Sequence, residues 1–111
     1  MDRANRHRLL EERSLALHRE VARRLRENPA LLAQAREHVE RWAAQGTLAP
    51  TYADAWRRLL DSPLEALLAL LIDESEPARA LRQTTPFTFV VAPRDRWRLW
   101  RETQAQWEGE P

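Results

Sequence analysis

A chain of 111 residues has the length of one domain, and at 43% hydrophobic and 32% charged residues it is neither a disordered polymer nor a membrane-spanning one. Eighteen basic against seventeen acidic residues leave a net charge of +1, without the strongly basic footprint of a nucleic-acid-binding tail. There is no cysteine and there are only two glycines, which excludes disulfide scaffolds, thiolate nucleophiles, Cys-based zinc sites and Gly-rich phosphate loops.

The first long segment, from about Arg3 to Glu27, sets Leu10, Ser14, Leu17, Val21 and Leu25 at spacings of four, three, four and four, which is one face of a helix. Leu9 and Leu15 lie off that line and broaden the stripe at its start. Glu20 with Arg24 and Arg23 with Glu27 have i,i+4 spacing on the wet side. Such a helix reaches roughly 37 Å, so its end is expected to overhang a small bundle. Its opening, MDRANRHRLLEER, lacks the apolar core of a secretory signal.

The break falls at ENPALL, where Asn28 suits an N-cap and Pro29 the first helical position. A second helix then presents Leu32, Ala35, Val39, Trp42 and Ala43 on one side, and Gly46 stops it. Thr51 is the expected cap of a third helix carrying Tyr52, Trp56, Leu59 and Leu60. In DSPLEALLALLID, Ser62 and Glu65 have capping-box spacing, and the leucines that follow predict a short, buried central helix. The apolar run from Leu67 to Ile72 is far short of the roughly 20 residues a spanning helix needs. Ser75 and Pro77 start a brief helix through ARALRQ. The segment between Pro86 and Pro93 is read as extended, since the residue before each proline is pushed away from helix. Phe87 and Phe89 are expected to anchor it as a buried strap, the alternative being an exposed edge for a partner strand. Pro93 begins a last helix of about 93–108. The fold class that follows is all-α, a single-domain bundle of five or six helices with one extended segment near 86–93.

No catalytic constellation emerges. His7, His18 and His38 have neither an i,i+4 histidine partner nor the acidic neighbours of a zinc helix, and all three read as structural or solvated. Glu11 with Glu12 and Asp73 with Glu74 are sequence neighbours that diverge on a helix. The expectation is therefore no enzyme, no metal and no cofactor. All eighteen basic residues are arginine, which a GC-rich genome explains; the functional alternative is selection for guanidinium forks that lysine cannot form.

Protein binding is the preferred reading. Trp97, Trp100 and Trp107 share one face of the last helix; Trp97 and Trp100 are expected to pack on the bundle, while Trp107 is less secured. The residues expected to meet a partner are Arg6, Arg8 and Arg13 on the first helix with Trp100 and Trp107 on the last. The alternative is a nucleic-acid-binding regulator using the Arg-rich first and last helices, RANRHRLLEER and APRDRWRLWRE. Acidic residues inside both stretches rank it lower.

The stretches SLALHREVARRLRENPALLAQAREHVERW, PLEALLALLIDESEPARALRQTTPF and PRDRWRLWRE resemble small, uncharacterised helical proteins of bacteria that look like the antitoxin member of two-gene toxin–antitoxin loci. The likeness runs from Ser14 to Glu102, with LRQTTPF and PRDRW its most particular parts. It implies a protein that binds a toxin enzyme and holds it inactive, with no reaction of its own. The composition and the absence of a signal core make a bacterial-type cytoplasmic protein the expectation. A homo-oligomer is a further partner state to test, and no membrane is expected. The sequence departs from the common antitoxin arrangement in showing neither a DNA-binding fold nor a disordered toxin-wrapping tail.

Overall fold

The computed structural model describes residues 2–109. Six α-helices make an all-α domain with no strand among the described residues: α1 (Arg3–Glu27), α2 (Leu32–Gln45), α3 (Pro50–Asp61), α4 (Leu64–Leu71), α5 (Glu76–Arg82) and α6 (Pro93–Gly109). Short 3₁₀ turns precede α2 at Pro29–Leu31 and α6 at Thr88–Val90. α1 is the spine, packed against α4, α5 and α6, while α2 pairs with α3 and α3 with α4.

The first helix spans the predicted range, but of the predicted stripe only Val21 and Leu25 are buried. Ser14 and Leu17 are half-buried and Leu10 is 53% exposed, and the inward face at the start runs instead through Leu9, Leu15 and His18. Arg3 to Arg8 are all exposed, so its first two turns overhang the bundle. The radius of gyration is 14.5 Å and the long axis 42 Å; a compact chain of this length expects about 13 Å, and the projecting ends of the helices account for the difference. Glu20 holds Arg24 at 2.8 Å and Glu27 holds Arg23 at 2.9 Å. Gly46 ends α2 at φ 75°, a left-handed position that a side chain would strain.

The core centres on Trp56 and Phe87, both without solvent exposure, whose rings meet edge-to-face at 5.8 Å. Around them lie Val21, Leu25, Val39, Leu67, Leu71 and Val91. α4 contributes Leu67, Leu68 and Leu71 to this core but is not buried all round: Ala66 and Ala69 are exposed, Leu70 is half-buried and Ile72 is 45% exposed. An eight-residue helix at the rim of the bundle can turn only one stripe inward.

Three caps differ from expectation. Ser62 terminates α3 instead of opening α4: its hydroxyl donates to the Arg58 carbonyl at 2.7 Å, and Pro63 takes the N-cap position. Ser62 therefore stands two residues ahead of the first helical residue, out of reach of the amides a capping box would satisfy, and Glu65 pairs instead with Arg26. Thr51 lies inside the first turn of α3, which starts at Pro50 behind Ala49. Asn28 makes no side-chain cap bond; its backbone N–H closes the end of α1 on the Arg24 carbonyl. Ser75 does cap α5, accepting from the Ala78 amide at 3.4 Å.

The Pro86–Pro93 segment is buried at Pro86, Phe87, Val90 and Val91, half-buried at Thr88 and Phe89 and exposed at Ala92 and Pro93, and it is not extended throughout. The Val90 amide donates to the Phe87 carbonyl at 3.0 Å and the Val91 amide to that of Thr88 at 3.2 Å, which coils the middle of the segment into a 3₁₀ turn. In a flat strand Phe87 and Phe89 would point the same way. The turn instead sends Phe87 into the core and lays Phe89 on the His38 ring of α2 at 5.0 Å.

Candidate functional site

LRQTTPF, residues 81–87, is the lock of the fold. Arg82 Nη1 donates to the carbonyls of Leu71 and Asp73 and so closes the end of α4. Thr84 Oγ1 accepts from Trp56 Nε1 at 2.9 Å and donates to the Leu81 carbonyl at 2.9 Å. Thr85 Oγ1 accepts from the Phe87 amide at 3.1 Å and donates to His18 Nε2 at 2.9 Å. His18 must then carry its proton on Nδ1, which donates to the Ser14 carbonyl at 2.7 Å. Burial, with a smaller push from the nearby Arg82 charge and against the hydrogen bond to Ser14, lowers the pKa of this imidazole to about 4 and holds it neutral. With both ring nitrogens engaged, His18 has no free lone pair to serve as a base.

The residues expected to meet a partner lie along the α1–α6 pair, whose helices run antiparallel. Arg24 meets the start of α6, bonding Asp95 at 3.1 Å together with Glu20 and the Val90 carbonyl. Arg13 lies over Trp100 at 4.0 Å and donates to Gln104 at 2.6 Å. Arg8 lies over Trp107 at 5.4 Å, near the free end of both helices. Arg13, Trp100 and Trp107 are therefore half-buried parts of an internal seam, whereas Arg6 and Arg8 are exposed on the overhang.

Trp97 was expected to pack on the bundle, and it does not. It is 56% exposed and stacks face to face on Trp100, 4.8 Å between centroids and 7° from parallel. α6 buries no residue fully, so its face is too narrow to hide a third tryptophan. Pro93, Arg96, Trp97 and Trp100 together form a shallow depression. Spacing alone could not single out Trp97, because all three tryptophans fall on one side of the helix.

Sharing Arg96 and Trp100 with this depression, a cavity of about 270 Å³ lies between α1, α5 and α6. Arg13, Arg82 and Arg96 reach it, with His18, Thr85 and Trp100 in its wall and no carboxylate among its lining residues. The Nε atoms of Arg13 and Arg96 are buried without a hydrogen-bond acceptor. Burial lowers the pKa of both Arg13 and Arg82, and the neighbouring Arg79 lowers Arg82 further. Arg82 and Arg96 carried no signal in the sequence, since they stand in separate elements among many other arginines. A second cleft, of about 240 Å³, adjoins across Ser14 and Arg82. It contains its own acid, Glu11, paired with His7 at 3.0 Å and Arg79 at 3.5 Å. Among the described residues no three His, Asp or Glu side chains converge to hold a metal ion, and no helix is long and apolar enough to cross a membrane.

No protein-family model matches this chain, and no curated protein or solved structure matches it either.

Proposed function

We propose that the protein is a non-catalytic binding module that docks a partner protein on its α1–α6 face, in the manner of an antitoxin holding an enzyme inactive. The observation that carries this reading is Trp97. It offers a large apolar ring to solvent, stacked on Trp100 and bordered by Arg96. Tryptophan and arginine are the residues that anchor protein interfaces. Arg6 and Arg8 are exposed at the other end of the α1–α6 pair, where Arg8 lies over Trp107.

The test is affinity purification of the tagged chain and of Trp97→Ala from an extract of the source organism, with and without nuclease. The expected result is a nuclease-resistant protein retained by the wild type and lost by Trp97→Ala at unchanged melting temperature, and an enzymatic activity in that protein suppressed by equimolar addition of the chain. Retention of nucleic acid with a steep salt dependence would reverse the choice in favour of a nucleic-acid-binding regulator. A partner equally retained by Trp97→Ala would remove this face from the reading.

A further inference from the structure

We propose that the cavity between α1, α5 and α6 is a binding site for an oxyanion, a carboxylate or phosphoryl group, carried on a small apolar frame. The arginines of this protein that are not exposed fall into two sets. Arg24, Arg57 and Arg79 each hold carboxylates, at 2.8, 2.7 and 3.5 Å respectively. Arg13, Arg82 and Arg96 hold none among the described residues, and all three line this one cavity. Withdrawing a charge from water is costly unless it is paired, so one buried and two half-buried guanidinium groups lining one space without a carboxylate favour an anion there.

The donors left over have the right chemistry. Arg82, 4% exposed, commits Nη1 to the carbonyls of Leu71 and Asp73. Arg13 commits Nη2 to Gln104, while its Nε and that of Arg96 are buried and meet no protein acceptor among the described residues. Guanidinium N–H groups in a fixed fork bind the paired oxygens of carboxylates and phosphates. Asp73, Glu11 and Glu74 act on Arg82 only from outside the cavity wall. His18, neutral and closed in its own hydrogen bonds, adds neither charge nor competition. Leu17, Leu99 and Trp100 supply the apolar wall, and 270 Å³ leaves room for carbon beside the anion.

The site stands whether or not the α1–α6 face docks a protein, and its test is separate from the purification above. The side-chain Nε–H resonances of Arg13 and Arg96 are followed by ¹⁵N-correlated NMR on the full chain during titration with glutarate and, separately, inorganic phosphate at constant ionic strength. Saturable movement of both resonances is expected. The midpoint should rise roughly tenfold or more in Arg96→Gln and in Arg13→Gln, from loss of one charge-assisted hydrogen bond, and should stay unchanged in Arg101→Gln, which alters an exposed arginine outside the cavity. The tighter of the two probes identifies the group as carboxylate or phosphoryl. The proposal is overturned if neither probe saturates below about 50 mM, or if the midpoint is the same in whichever Gln variant keeps the wild-type backbone spectrum.

Discussion

Thr85 donates its hydroxyl proton to His18 Nε2 at 2.9 Å, joining the strap to α1 across 67 positions of sequence. The same oxygen accepts the Phe87 amide, so one side chain satisfies a buried ring and a buried backbone group together. Removing the hydroxyl leaves both without a partner. Thr85→Val is expected to cost about 1–3 kcal/mol, measured by urea denaturation at neutral pH.

The burial of His18 also makes stability depend on pH. The unfolded chain protonates His18 near its ordinary value of 6.5, whereas the folded chain resists until about 4. Between those values the unfolded state binds more protons, so the contribution of neutral His18 is complete above pH 6.5 and is lost progressively as pH falls toward 4. The full loss is about 3 kcal/mol. Denaturation midpoints at stepped pH should fall across this window in the wild type and much less in His18→Gln. Glu20, whose pKa is lowered to about 2 chiefly by its hydrogen bond to Arg23, adds a further decline at lower pH, below 4.5.

Phe87 and Phe89, two residues apart, should respond differently to truncation. Phe87 is wholly buried against Trp56, so Phe87→Ala is expected to cost about 3–5 kcal/mol. Phe89 covers the outside of α2, and Phe89→Ala should cost clearly less. Trp107→Ala, at the half-buried end of α6, should leave stability within about 0.5 kcal/mol of wild type. Equal losses for the two phenylalanines in thermal denaturation would contradict the 3₁₀ turn between them.

α4 offers a similar contrast along one short helix. Leu68, 3% exposed, belongs to the core, and Leu68→Ala should cost about 2–5 kcal/mol. Ile72→Ala, at a position 45% exposed, should be close to neutral. Chemical denaturation monitored by far-UV circular dichroism distinguishes the two.

Arg24 ties α1 to the strap and to the first turn of α6 through Glu20, the Val90 carbonyl and Asp95. Because α6 buries no residue fully, this clamp and the Arg13–Trp100 contact carry much of its docking. Arg24→Ala should therefore raise amide hydrogen exchange throughout α6 while leaving α2 and α3 protected as before. Uniform acceleration across all helices would instead mean that the clamp supports the whole fold.

The sequence by itself determined the elements. Hydrophobic residues at helical spacing, prolines at the first position of helices and Gly46 past the end of α2 are local signals, because each acts within a turn or two of backbone. They made the six helices and the burial of Leu67, Leu68 and Leu71 legible. Caps were less so: whether Ser62 closes α3 or opens α4 depends on where Pro63 settles between them, a difference of one residue. The site lay beyond local reading altogether. Arg13, Arg82 and Arg96 come from three helices, and nothing in their own neighbourhoods separates them from arginines that found carboxylates. Trp97 and Trp100 share a helical face, yet one is offered to solvent and the other covers Arg13. Only the docking of α6 against α1 decides that, since a helix three residues around from a seam is already turning outward. Pairing, burial and the lack of a counter-charge are properties of surfaces brought together, and those appear only when the chain has folded.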